Sequence, residues 1–125
     1  MIGYVTLGTN DIERAGAFYD ALLAEIGAGR RMGDDSFIAW GTDGASPAVS
    51  VIKPHDGNVA TVGNGTMVAL AVNDTDLLHK VHAKALELGG TDEGAPGPRG
   101  AGGFYAGYFR DLDGNKLCVF NFAQG

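Results

Sequence analysis

Tyr4-Val5-Thr6-Leu7-Gly8-Thr9-Asn10-Asp11 and Met67-Val68-Ala69-Leu70-Ala71-Val72-Asn73-Asp74 are two versions of one stretch. Val5, Leu7, Asn10 and Asp11 return as Val68, Leu70, Asn73 and Asp74 at an offset of 63 residues. Held further, the same offset sets Leu23 on Leu86 and Gly27 on Gly90. Self-similarity over half a chain marks a duplicated supersecondary unit, so the fold is read as two copies of one motif.

Each copy opens on a strand, because Val5 and Leu7 alternate with Tyr4 and Thr6, and Val68, Leu70 and Val72 with Met67, Ala69 and Ala71. A helix follows at once. Ala15, Phe18 and Leu22, and later Leu78, Val81, Ala85 and Leu88, keep the spacing of one helical face. Asn10 with Glu13, and Asn73 with Asp76, are read as the capping pairs that satisfy free N–H groups. Gly27 and Gly89-Gly90 supply the left-handed stop. Two hairpins complete the pattern. Ser36 to Gly41 and Pro47 to Lys53 flank Thr42-Asp43-Gly44; Phe104 to Arg110 and Asn115 to Phe122 flank Asp111-Leu112-Asp113-Gly114. The expected organisation is one domain over 1–125, with module one at about 1–54, a linker at about 55–65 and module two at about 66–125.

Composition removes several function classes. A chain of 125 residues with 45% hydrophobic and 19% charged residues buries a core without staples. Its formal charge of −6 leaves no basic stripe to neutralise phosphates, so no nucleic-acid partner is expected. That acidity would mildly attract cationic ligands. No apolar run is long enough to span a bilayer, so no membrane partner is expected. Met1-Ile2-Gly3-Tyr4 puts no basic region ahead of an apolar stretch, which argues against a secretory leader. Cys118 is the single cysteine and permits no internal disulfide; a reducing, cytoplasmic setting is expected.

Leu7-Gly8-Thr9-Asn10-Asp11-Ile12-Glu13-Arg14, the helix segment Ala17 to Leu23, and the closing run Phe104 to Leu117 resemble the vicinal oxygen chelate superfamily. That group includes glyoxalase I, extradiol dioxygenases, fosfomycin-resistance enzymes and bleomycin-resistance proteins. The resemblance implies an α+β fold: two βαβββ modules forming a cup-shaped mixed sheet around a small ligand, helices outside, often as a homodimer. Scaffold motifs of this kind specify fold and say little about reaction.

Metal-dependent relatives hold a divalent ion through His, Glu or Gln near the start of each module's first strand and on its last strand. There the ion acts as a Lewis acid toward two neighbouring substrate oxygens. In this chain the first-strand positions fall on Tyr4 and Met67, and the last-strand position of module two falls on Cys118. For module one the register admits Ala48, Ser50 or Thr61. Such residues do not suit a hard oxygen–nitrogen site, so no metal or other cofactor is expected.

The ligand-contact candidates are Tyr4, Trp40, Ser50, Met67, Arg99, Tyr105, Tyr108 and Cys118. Arg99 offers a forked pair of donors to an anion. Tyr108 alternates with Phe109, so one of the two faces the cup. Trp40 and the tyrosines read equally well as core or interface residues, and Cys118 as a small buried hydrophobe. His79 and His82, three apart on the second helix, read as its solvated edge. The glycines of the 94–103 stretch read as a loop or lid, since no helix follows to cradle a phosphate. Two formal sequons, at Asn64 and Asn73, carry no meaning in a cytoplasmic chain. The expected function is metal-free binding or sequestration of a small molecule, with no catalytic residue assigned. The other reading is a metal-dependent lyase or dioxygenase with displaced ligands.

Overall fold

The computed structural model describes residues 1–44 and 47–122. Module one runs β1 (Tyr4–Gly8), α1 (Ile12–Ala24), β2 (Gly29–Gly33), β3 (Phe37–Gly41) and β4 (Ala48–Ile52). Module two runs β5 (Val68–Ala71), α2 (Thr75–Glu87), β6 (Thr91–Pro98), β7 (Phe104–Arg110) and β8 (Lys116–Phe122). Each is a βαβββ unit with the same strand order, β1-β4-β3-β2 and β5-β8-β7-β6. In both sheets the first strand runs parallel to the last, and the other pairings are antiparallel. The two helices begin and end at positions related by the offset that relates the opening strands. Two four-stranded mixed sheets, each with one helix, are the α+β architecture that the repeat implied.

The helices cover one face of each sheet and meet each other between the modules. Leu7, Phe18, Tyr19, Leu22, Ile38, Trp40 and Val51 join Leu70, Leu78, Val81, Ala85, Phe109, Leu117 and Val119 in one continuous core. Burial of this area is the main favourable term in the fold. The opposite face of each sheet is turned away from its helix and is called the open face below.

Several local readings shift. The helix caps are Asp11 and Asp74, one residue later than Asn10 and Asn73: Asp11 accepts from Arg14 N and Asp74 from Leu77 N. Asn10 is engaged elsewhere, its side chain exchanging bonds with the backbone of Ala60. Either side chain can cap, and the contact with the segment before β5 decides which does. Gly27 (φ 79°) and Gly89 (φ 101°) sit where the helices stop, as expected. The 94–103 stretch is not a plain loop, because residues up to Pro98 belong to edge strand β6. Its sequence hides this: no apolar alternation marks it, and its pairing with β7 shifts register twice. The hairpin turn of module one includes positions 45 and 46, which lie outside the described residues. No helix among the described residues is long and apolar enough to cross a membrane.

Candidate functional site on the open faces

The open face of module one is built by strand alternation. Tyr4 and Thr6 on β1, Ala48, Ser50 and Ile52 on β4, and Phe37 and Ala39 on β3 all point away from α1. With Arg31 and Met32 they line a cavity of about 620 Å³. The lining is mainly apolar, with a few hydroxyls and one guanidinium, which is the ordinary character of a small-molecule pocket. Ser50 lies on its floor. Its Oγ donates to Val5 O at 3.0 Å and stands 3.0 Å from Thr6 Oγ1.

Module two repeats the geometry with different chemistry. Tyr108 pairs with Cys118, Ala106 with Phe120 and Phe104 with Phe122 across β7 and β8, and Ala69 pairs with Cys118 from β5. Ala39 pairs with Ser50 in module one as Tyr108 pairs with Cys118 in module two. A methyl thus stands in module one where module two has a phenol.

The register left open by the sequence is resolved by β1. Thr6 pairs with Ser50 as Ala69 pairs with Cys118. Ser50, and neither Ala48 nor Thr61, is thus the counterpart of Cys118. The positions to which the resemblance assigns the superfamily's metal ligands are Tyr4, Met67 and Cys118, and Ser50 is the register counterpart of Cys118. A phenol, a hydroxyl, a thioether and a thiol do not fit a hard divalent ion. Burial pushes the Cys118 thiol up, opposed by Tyr108, Arg99 and Lys116; a neutral thiol is a poor ligand and a poor nucleophile. Among the described residues, no three His, Cys, Asp or Glu side chains are placed to hold an ion.

Of the other candidates, Arg99 and Tyr108 are together on the open face, with Arg99 Cζ 5.5 Å from the Tyr108 ring centroid. Phe109 is the partner that faces the core. Met67, one residue before β5, is exposed. Trp40 and Tyr105 are on the helix side and are not brought to this surface. Trp40 is buried and donates Nε1–H to Asp20 Oδ1 at 2.8 Å. Tyr105 packs against the core, its hydroxyl 2.9 Å from His79 Nε2. His82 is buried rather than solvated; its Nε2 is 3.1 Å from both Asp92 Oδ1 and Tyr108 O. Lys116 was not singled out from the sequence, although its alternation with Cys118 in a strand assigned to the hairpin was the available signal.

Comparison with known proteins agrees with the geometry. The sequence profile of the glyoxalase-like domain matches residues 4–120. The chain belongs to the glyoxalase-like domain family. This places it in the vicinal oxygen chelate superfamily. A glyoxalase/bleomycin resistance protein from Albidiferax ferrireducens T118 is 34% identical, with a TM-score of 0.87 over 96% of this chain and 97% of that one. A glyoxalase/bleomycin resistance protein/dioxygenase family enzyme from Burkholderia phytofirmans PsJN shares the fold at 17% identity and TM-score 0.75, over 96% of this chain and 97% of that one. A glyoxalase-related enzyme from Fulvimarina pelagi does so at 19% identity and TM-score 0.74, over 96% of this chain and 86% of that one. Among curated proteins, none matches the chain.

Proposed function

We propose that this glyoxalase-like domain binds a small organic molecule on its open faces without a metal ion. One observation supports the reading: Ser50 and Cys118 are equivalent by strand register, and with Tyr4 and Met67 they stand at the positions the resemblance assigns to metal ligands. The scaffold keeps the cup and not the ligand set. The roughly 620 Å³ cavity supplies the apolar volume, and Thr6, Ser50 and Arg31 supply the directional contacts. Acid–base chemistry has little to work with there, because the described lining contains no His, Asp or Glu.

A cationic ligand, suggested by the −6 charge, is disfavoured by what the open faces present. Arg31 lines the cavity, and Arg99 and Lys116 flank Tyr108 in module two. Tyr4, Met32, Met67 and Phe122 are large exposed side chains at 69%, 63%, 42% and 61%, which supports closure of the faces by a second copy of the chain. Light scattering then reads about twice the 12.9 kDa chain mass. Elemental analysis tests the central claim. Protein purified without chelator, incubated with Ni, Zn, Mn or Fe(II) and desalted retains no stoichiometric metal. Near-stoichiometric retention would overturn the reading and put lyase and dioxygenase assays first.

A further inference from the structure

The open face of module two concentrates positive charge in a chain that is otherwise acidic. Arg99 Cζ lies 5.5 Å and Lys116 Nζ 5.4 Å from the same Tyr108 ring centroid. Arg14, Arg30, Lys84 and Arg110 each have a carboxylate within ion-pair distance, whereas among the described residues neither Arg99 nor Lys116 does. Two like charges near one ring repel. An incoming anion relieves the repulsion.

Arg99 is also held in place before any ligand arrives. Its Nη2 donates to Ala95 O at 2.7 Å and its Nη1 to Pro98 O at 3.3 Å. Glycines make the space for this. A Cβ at Gly97 would stand 3.2 Å from Arg99 Nη1, and one at Gly94 would stand 3.4 Å from Arg99 Nη2 and 3.0 Å from Tyr108 Cδ2. The glycine-rich stretch that matches no phosphate-binding motif is thus a bed for a guanidinium. Two anchored nitrogens leave other N–H groups of the fork to bind a planar acceptor, with the rotamer entropy already spent.

Beside the charges lies an aromatic surface. Phe104 and Phe120 have ring centroids 5.6 Å apart, and Phe122 completes the group at 5.5 Å from Phe104. Ala106, paired with Phe120 and fully buried, separates this group from Tyr108 along β7.

We propose that Arg99 and Lys116, arrayed over Tyr108, recognise the carboxylate of an aromatic acid whose ring rests on Phe104 and Phe120. This deepens the small-molecule reading above and rests on it. The test is an amide-resolved NMR titration of the full chain with 2-naphthoate and with its neutral counterpart, 2-naphthalenemethanol. Naphthoate binds about tenfold tighter, the ratio expected of charge-assisted hydrogen bonds, and shifts amides of residues 94–99, 106–108 and 116–118. In the R99Q/K116Q variant the two compounds bind alike, and R99K recovers part of the preference. Equal affinity of both compounds for the native chain, at these faces, would overturn the anion subsite and leave small-molecule binding standing. Binding of neither would overturn both. Retained naphthoate preference in a folded R99Q/K116Q chain would also refute the assignment.

Discussion

The phenol of Tyr19 in α1 donates a 2.5 Å hydrogen bond to Oδ2 of Asp111, in the turn between β7 and β8 of the other module. Asp111 also accepts from the backbone N–H groups of Asp113 and Asn115 and from Asn115 Nδ2. The turn so fixed reaches back into module one: Asn115 Nδ2 donates to Gly8 O at 2.9 Å, and Asp113 accepts from Thr9 Oγ1 at 2.6 Å. The Asp-Leu-Asp-Gly-Asn turn is therefore the clasp between the two halves. Tyr19→Phe removes one donor from a buried carboxylate and costs about 1.5–3 kcal/mol, read from urea unfolding.

The same residue gives the chain an alkaline limit. Burial, and then the negative charge of Asp111, raises the Tyr19 phenol well above its ordinary value of 10.0. The unfolded chain loses this proton near pH 10 while the folded chain keeps it, so the contribution is full below pH 10 and is lost as pH rises through the folded value. Native stability falls more steeply above pH 10 than that of Tyr19→Phe, as denaturant midpoints measured across pH 8–12 will show.

Asp20 ties the single tryptophan to α1. Its Oδ1 accepts from Trp40 Nε1 and Arg30 Nε, both at 2.8 Å. The Arg30 hydrogen bond foremost holds its carboxyl below the ordinary 3.8, so this contribution is present above that value and lost as pH falls through the lower folded one. Trp40 emission stays constant on acidification past pH 4 and changes only below it. In Asp20→Asn that acid transition is absent.

Gly90, just past the end of α2, admits no side chain. A Cβ there would stand 2.7 Å from Arg110 O and 2.8 Å from Ala85 O, both backbone atoms that cannot swing aside. Gly90→Ala costs about 1–3 kcal/mol, whereas Gly29→Ala, with nothing within 4 Å of its Cβ, changes the urea midpoint little.

His82 is a structural donor. Its imidazole is wedged under β7, 3.1 Å from Tyr108 O and edge-on to Phe109 at 6.3 Å. His82→Ala empties that space and removes one partner of Tyr108 O, at about 2–4 kcal/mol. Because Tyr108 belongs to the proposed anion subsite, the loss is also visible as weaker naphthoate binding at temperatures where the variant is folded.

The duplication, both helices, the hairpin strands β3, β4, β7 and β8 and the Gly114 turn (φ 88°) were legible in the sequence. Each is marked by local signals: period-2 or helical apolar spacing, a cap, a glycine. β2 and β6 were not, since Gly29–Gly33 and Thr91–Pro98 lack apolar alternation and are strands only by pairing with β3 and β7. His82 was read as solvated because a helix edge in sequence does not reveal the strand that will cover it.

The candidate site divides the same way. The sequence by itself carried the family resemblance, and through it the assignment of Tyr4, Met67 and Cys118 as the positions to compare with metal ligands. Only the tertiary structure decided that Ser50 is the counterpart of Cys118, that Trp40 and Tyr105 turn to the helices, and that Arg99 and Lys116 both approach the Tyr108 ring. Those facts depend on register between strands far apart in sequence. A slip of one residue sends every side chain to the other face, and register is set by packing of the whole sheet against its helix.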